Sequence, residues 1–289
     1  MKIHTVTRLI FLFVAMSMLT PSVLRAEDWR DKMDNIIYSP YYFGPNGFPI
    51  PELRSGKIGS RYEVELRGEY HYYSGDKTKD LYARALLPFA KGRAAVEVSM
   101  VIVEDYKMTP ETQEERFAAE QSSPFACMGD VIISSMFQLL ESDKWADIML
   151  SLNLKTASGG RLADARYTDA ASYWFDVTVG KNLYSSPDKK FSLRMQGMMG
   201  FYCWMTNDRV HRQNDAISYG IGATGMYRHF SLSTDLSGFH GYKDNGDRPM
   251  SWRNVLSYEI KNNIISFRYQ HGMNDRLYDS YSLAYTRCF

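Results

Sequence analysis

Arg61–Tyr72, RYEVELRGEYHY, alternates with a period of two. Its even positions, Tyr62, Val64, Leu66, Gly68, Tyr70 and Tyr72, are largely apolar or aromatic. Its odd positions, Arg61, Glu63, Glu65, Arg67, Glu69 and His71, are charged or titratable. In a strand the two sets point to opposite faces. This strand is long, its apolar face ends in tyrosines, and similar segments follow it. The pattern predicts an all-β protein, a transmembrane antiparallel up-and-down barrel with lipid outside and a wet interior.

Working outward, twelve strands are expected, at 60–74, 78–90, 93–105, 129–141, 145–157, 171–182, 190–204, 215–227, 230–240, 250–261, 264–272 and 277–289. In 145–157, for example, Ala146, Ile148, Leu150, Leu152 and Leu154 alternate with Asp147, Met149, Ser151, Asn153 and Lys155. Strands of a soluble sandwich are usually about five or six residues long. A tilted crossing of a bilayer needs about 9–11, which these segments supply. The links sort by length: 90–93, 142–144, 183–189, 228–229 and 262–263 are mostly short, whereas 105–128, 158–170, 205–214 and 241–249 are mostly longer and polar, with 75–77 and 273–276 as short outer ones. Short periplasmic turns alternating with longer outer loops explain that order, and an even strand count leaves both ends of the barrel on the periplasmic side.

The 289 residues open with a removable address. Met1–Ala26 has a basic start (Lys2, Arg8), an apolar run Leu9–Leu19 too short to span a bilayer, and a tail compatible with cleavage after Ala26. Beyond it no apolar run reaches the length of a membrane helix, but alternation would hide a barrel from that test. With 34 basic and 33 acidic residues the charge is balanced, and nothing points to nucleic acid. The chain is rich in aromatics, with 21 Tyr, 15 Phe and 5 Trp, as membrane-interface belts require.

Between address and barrel lies the segment 27–59, which includes SPYYFGPNGFPIPEL (Ser39–Leu53). Pro40, Pro45, Pro49 and Pro51 forbid a central strand or a helix there. Its aromatics still require burial, either across the periplasmic mouth or inside the bore as a plug. The barrel itself is expected over 60–289. Twelve strands about 4.8 Å apart and tilted by about 40° enclose a bore of roughly 10–12 Å once side chains are added. That passes a small solute or holds one folded-in segment, not both.

The C-terminus carries Tyr281, Leu283, Tyr285 and Phe289 on one face. This resembles the signal by which outer-membrane barrels are recognised by the barrel-insertion machinery, with Arg287 as a departure on the lipid-facing register. The chain as a whole resembles bacterial outer-membrane β-barrel proteins from its signal to its last residue. In YYFGPNGFPIPE (Tyr41–Glu52) and KTASGGRLADARYTDA (Lys155–Ala170) it resembles an uncharacterised barrel family of the Bacteroidetes type. These resemblances imply the cell outer membrane as location and its lipid as surroundings, but no particular activity.

The expected lumen set is charged: Arg61, Glu63, Glu65, Arg67, Glu69, His71, Arg84, Glu97, Asp147, Lys155, Arg194, Asp235, Arg253, Glu259 and Arg268. Opposite charges on one face pair across strands and stiffen a narrow barrel. The same groups can form a constriction that selects small polar or charged solutes, as in a porin. Ser158-Gly159-Gly160-Arg161 resembles the Ser-Asn-Gly-Arg run of outer-membrane phospholipase A, also a twelve-stranded barrel. That family has a His two residues before the serine, where this chain has Thr156. Ser158 is therefore a weak candidate for a lipid hydrolase of phospholipase or lipid A deacylase type, with His71, His240 and His271 as distant possible bases. A third reading is a non-catalytic surface-interaction barrel using the link 105–128. No cofactor or metal is expected, since Asp164 and Asp169 offer too few oxygens for Ca²⁺. Cys127 and Cys203 fall near outer strand ends, where a bridge is conceivable in an oxidising compartment. Tyr70, Tyr72, Trp145, Tyr173, Trp204, Tyr227, Trp252 and Tyr285 are expected as interface anchors.

Overall fold

The computed structural model describes residues 35–289; the expected signal, 1–26, lies outside them. The strands are β1 (Glu63–Tyr73), β2 (Asp76–Phe89), β3 (Ala94–Met108), β4 (Ser122–Cys127), β5 (Ile132–Leu140), β6 (Asp147–Lys155) and β7 (Ser172–Ser185). They continue as β8 (Phe191–Met205), β9 (Gln213–Tyr227), β10 (Phe230–Gly241), β11 (Pro249–Ile260), β12 (Asn263–Asn274) and β13 (Asp279–Cys288). Twelve of them pair antiparallel with their neighbours, and β1 pairs with β13 from Glu63↔Cys288 to Tyr72↔Asp279, which closes the barrel. The thirteenth, β4, pairs with the outer end of β3 and lies in the long outer link. No helix among the described residues is long and apolar enough to cross a membrane.

The period of two survives as a period of burial. On β7, Ser172, Trp174, Asp176 and Thr178 are buried while Tyr173, Phe175, Val177 and Val179 are exposed. On β13, Ser280, Ser282, Ala284 and Thr286 face in, and Tyr281, Leu283 and Tyr285 face out. The apolar set is thus on the outside, which only a lipid environment tolerates over so large an area. Arg287 donates to Asn263 Oδ1 at 2.8 Å near the periplasmic rim, within reach of headgroups. Ile221, 60 % exposed at the centre of β9, tests this face. Ile221→Arg should destabilise the barrel by about 2–4 kcal/mol in a bilayer, read from folding titrations into lipid vesicles; an unchanged folding free energy would remove that face from the hydrocarbon.

One irregularity changes which residues look inward. The β2–β3 register shifts between Leu81 and Tyr82, so that Tyr82 faces Val101 while Leu81 faces Val103. The extra residue flips the parity of β3. Below the shift Glu97 and Ser99 are buried inward, and above it Glu104 and Tyr106 are. The outer link after β3 is also more ordered than a polar connection suggests. It holds a short helix, α1 (Pro110–Glu115), with Pro at its start and Thr109 Oγ1 accepting from Thr112 N–H at 3.3 Å.

Residues 35–60 run through the bore as a strap. At the outer mouth Asn207 donates to Ile36 O (2.9 Å), Trp204 Nε1 donates to Tyr38 O (2.8 Å) and Tyr41 N–H bonds Gly246 O (3.1 Å). At the periplasmic mouth Arg194 donates to Ser55 O (2.8 Å), Gln138 to Gly56 O (2.8 Å), and Lys57 pairs with Glu141 (3.1 Å). The apolar half packs on an aromatic wall: Phe43 and Phe48 stand edge to face, and Phe48 meets Trp204 at 5.7 Å. Trp174, Tyr202 and Phe239 stack behind them, with centroids 5.1 and 4.6 Å apart. Trp204 is therefore 1 % exposed in the bore, not an interface anchor, because the strap's aromatics claim it. The other seven expected anchors, Tyr70, Tyr72, Trp145, Tyr173, Tyr227, Trp252 and Tyr285, are not among the buried residues. All three cysteines are free: Cys127 packs with Val101 and Tyr167 inside the mouth, whereas Cys203 alternates with the inward Tyr202 and Trp204 and so faces the other way.

Candidate functional site

Of the expected lumen residues, Glu65, Arg67, His71, Glu97, Asp147, Lys155, Asp235 and Arg253 are buried, and the set meets in pairs that the linear sequence does not announce. Near the periplasmic end Arg84 donates to Glu63 (2.8 Å), Glu65 (3.1 Å) and Glu97 (3.0 Å), while Arg54 of the strap takes the other Glu97 oxygen at 2.7 Å. Arg67 bridges Glu65 and Glu69, at 3.1 and 3.0 Å. Across the bore Arg253 pairs with Asp235 (3.2 Å), and Arg268 holds Glu52 of the strap (2.6 Å). Arg194 pairs with Asp147 (2.6 Å), and Arg61 with Glu259 (2.5 Å) at the rim. Lys155 sits higher, 2.5 Å from Asp130. The strap thus supplies both signs of charge to walls that already carry both.

Among the described residues, two of the cavities lie along the bore. One of about 140 Å³ lies beneath the strap's Pro45–Pro51 turn and is lined by Glu69, His71, Tyr82 and Trp174, among others. The second, about 190 Å³, lies toward the periplasm between β1, β2 and β11–β13. Arg67 and Arg268 line both, so these two guanidinium groups form the partition. Arg276, in the link before β13, also lines the upper cavity, and donates to Pro45 O at 2.8 Å rather than to a carboxylate. Burial and the neighbouring Arg253 push its pKa down to about 10.

Above the upper cavity the outer loop 156–171 folds inward. Arg166 is wholly buried, with Nε 2.8 Å from Glu104, NH1 on Asp76 and NH2 donating to Thr78 at 2.7 Å. Arg116, from the end of α1, pairs with the same Asp76 at 2.9 Å, and Tyr278 donates to it at 2.7 Å. Burial opposes the Arg166 charge, but Asp76 and Glu104 outweigh it and raise its pKa well above the ordinary value. Arg116, Asp76 and Glu104 were not among the expected site residues. The one signal available was that Glu104 continues the polar register only if β3 slips by a residue.

Ser158 does not find a base. Its Oγ lies 2.8 Å from Thr156 Oγ1 and accepts from Val131 N–H at 3.0 Å, on the exposed outer rim. His71 is held by Ser280 and Asp80 inside the bore, His271 by Asp279, and His240 is exposed on β10. The nucleophile reading therefore lacks the proton acceptor it needs.

Once this geometry is set beside solved structures, the barrel has clear likenesses. It matches an outer-membrane channel from Pseudomonas putida F1 with a TM-score of 0.53, over 85 % of this chain and 98 % of that one, at 12 % identity. The likeness is one of fold. The NanC porin (TM-score 0.49, 10 % identity, 78 % of this chain and 98 % of that one) and the KdgM porin (0.44, 11 %, 78 % and 99 %) are more distant. No protein-family model and no curated protein matches the sequence.

Proposed function

We propose that this barrel is an outer-membrane channel for small polar or charged solutes, with the strap 35–60 setting the width of its path. The observation that carries the reading is the pair of charged cavities meeting at Arg67 and Arg268. A barrel stiffened for structure alone gains nothing from keeping polar spaces of about 140 and 190 Å³ between its inward side chains. Ion pairs on each side of the path leave little net charge, so selection would rest on size and on bidentate hydrogen bonds from guanidinium groups. The strap is held by the ion pairs Arg54–Glu97 and Glu52–Arg268 and by the aromatic wall. It therefore narrows the bore without sealing every part of it.

Planar-bilayer recording tests this directly. The intact processed chain should show small conductance steps, and a chain lacking residues 35–58 should show steps several-fold larger, as expected for a bore of about 10–12 Å cleared of one segment. If neither protein conducts, solute passage is excluded as the function of this barrel.

A further inference from the structure

Glu69, Asp80 and Glu104 stand side by side across three strands: Asp80 is the register partner of Glu69 on one side and of Glu104 on the other. Like charges directly opposite one another destabilise a sheet, and a buried carboxylate needs a cation or several hydrogen bonds. The two flanking members have guanidinium partners, Arg67 on Glu69 at 3.0 Å and Arg166 on Glu104 at 2.8 Å. The middle one has the imidazole of His71 instead, Nε2 lying 2.9 Å from Asp80 Oδ2. The strap's Asn46 donates to that same oxygen at 2.8 Å. Asp80 Oδ1 is buried with no hydrogen-bond partner at all.

The His71 ring is fixed from its far side. Its Nδ1 lies 2.7 Å from Ser280 Oγ, an arrangement that lets Nδ1–H donate and turns the Nε2 lone pair toward the carboxylates. In that tautomer the Nε2 lone pair, 2.9 Å from Asp80 Oδ2, is available to an ion; in the other, Ser280 donates to Nδ1 and Nε2–H bonds the carboxylate instead. One ligand atom each from Glu69, His71 and Asp80 all lie within 4.8 Å of one another. An ion with tetrahedral bonds of about 2.0–2.2 Å holds its ligand atoms about 3.3–3.6 Å apart, so these side chains gather round it after rotamer adjustments on the order of 1 Å. Glu69 and His71 also line the upper cavity, which has room for water to complete the coordination.

We propose that Glu69, His71 and Asp80 form a binding site for one divalent transition-metal ion of the Zn²⁺ class in the upper lumen. One nitrogen and two carboxylates favour Zn²⁺ or Co²⁺ over Ca²⁺ and over soft thiophilic ions. This departs from the sequence reading, which found no metal site because Asp80 becomes the neighbour of His71 only through strand pairing. The site is independent of solute passage: the ion would compensate the central carboxylate whether or not the bore conducts.

The test uses the whole processed chain, folded in detergent micelles and freed of metal with a chelator. Titrated with Co²⁺, it should bind one equivalent and develop visible d–d absorption without sulfur charge-transfer bands, and Zn²⁺ should displace the colour. His71→Gln and Asp80→Asn should each weaken Co²⁺ binding by more than about tenfold, while His211→Gln, in an exposed outer loop, should leave it unchanged. No uptake by the unaltered chain at micromolar Co²⁺ or Zn²⁺ overturns the proposal; so does a thiolate band, or equal binding by the folded His71 and Asp80 variants. Should those variants fail to fold, the spectrum and stoichiometry of the unaltered chain still decide.

Discussion

Replacing Gly180 with valine should expel the lower half of the strap and enlarge the conductance without deleting a residue. Gly180 faces inward on β7 where the strap crosses it, and a Cβ there would lie 2.0 Å from Ser55 O. Gly56, on the strap at the same crossing, has φ +81° and comes as close from its own side, a Cβ there lying 2.8 Å from Gly180 N. The contact is backbone against backbone, so no side chain can swing away to relieve it. Overpacking of this kind typically costs about 1–3 kcal/mol, and moving residues 54–58 is the least disruptive way to release it. That movement breaks the Arg194–Ser55 hydrogen bond and loosens Lys57 from Glu141 and Asp147. Lys57→Cys in the same background should then react several-fold faster with a bulky thiol reagent, the native cysteines being buried. Unaltered conductance and unaltered labelling would mean that the strap does not control the path.

Arg166→Met should be the most destabilising single change in the outer mouth. It takes the guanidinium partner from Glu104 and leaves Asp76 with Arg116 alone, in a place where both carboxylates are about 1 % exposed. Removing one partner of a buried charge cluster costs about 3–5 kcal/mol, because the carboxylates lose the guanidinium and cannot regain water. The planar fork also stacks on the Tyr106 ring, its carbon 4.4 Å from the centroid. Arg166→Lys should therefore recover only part of the loss, since one ammonium cannot reach Asp76, Thr78 and Glu104 together. Denaturant unfolding in micelles measures the cost, and protease cleavage within 156–171 reports the release of the loop. Stability within 1 kcal/mol of the unaltered protein would show that these carboxylates are compensated from elsewhere.

Strand positions, the two faces of each strand and the alternation of short and long links were legible because each depends on local pattern alone. Tyr281, Leu283, Tyr285 and Ile221 have to be apolar wherever the partners lie. The interior was legible in kind but not in detail. Arg166 reaches Glu104 across 62 positions and Asp76 across 90, and no local pattern announces such a pairing. The slip in β3 hid Glu104, since strict alternation would have sent it to lipid. Trp204 misled because a tryptophan at a strand end suits an interface as well as it suits a buried wall. In the described part of the segment, 35–59, the prolines exclude a strand or an α-helix, leaving a three-residue 3-10 turn at Pro40–Tyr42. The aromatics need burial, but the choice between mouth and bore rests on Phe48, backed by Phe43, meeting Trp204.

The direction of the strap has a consequence for how the molecule is made. Ile36 is tied at the cell-surface end and Lys57 at the inner end, so the polypeptide first descends the axis and only then turns upward into β1. A finished cylinder would have to admit this stretch lengthwise, dragging Tyr41, Phe43 and Phe48 past Arg84 and Arg67 through a gap about one side chain wide. Weaving avoids that passage. The β1–β13 pairing completes the ring, so a strap in place before that seam closes never has to be threaded.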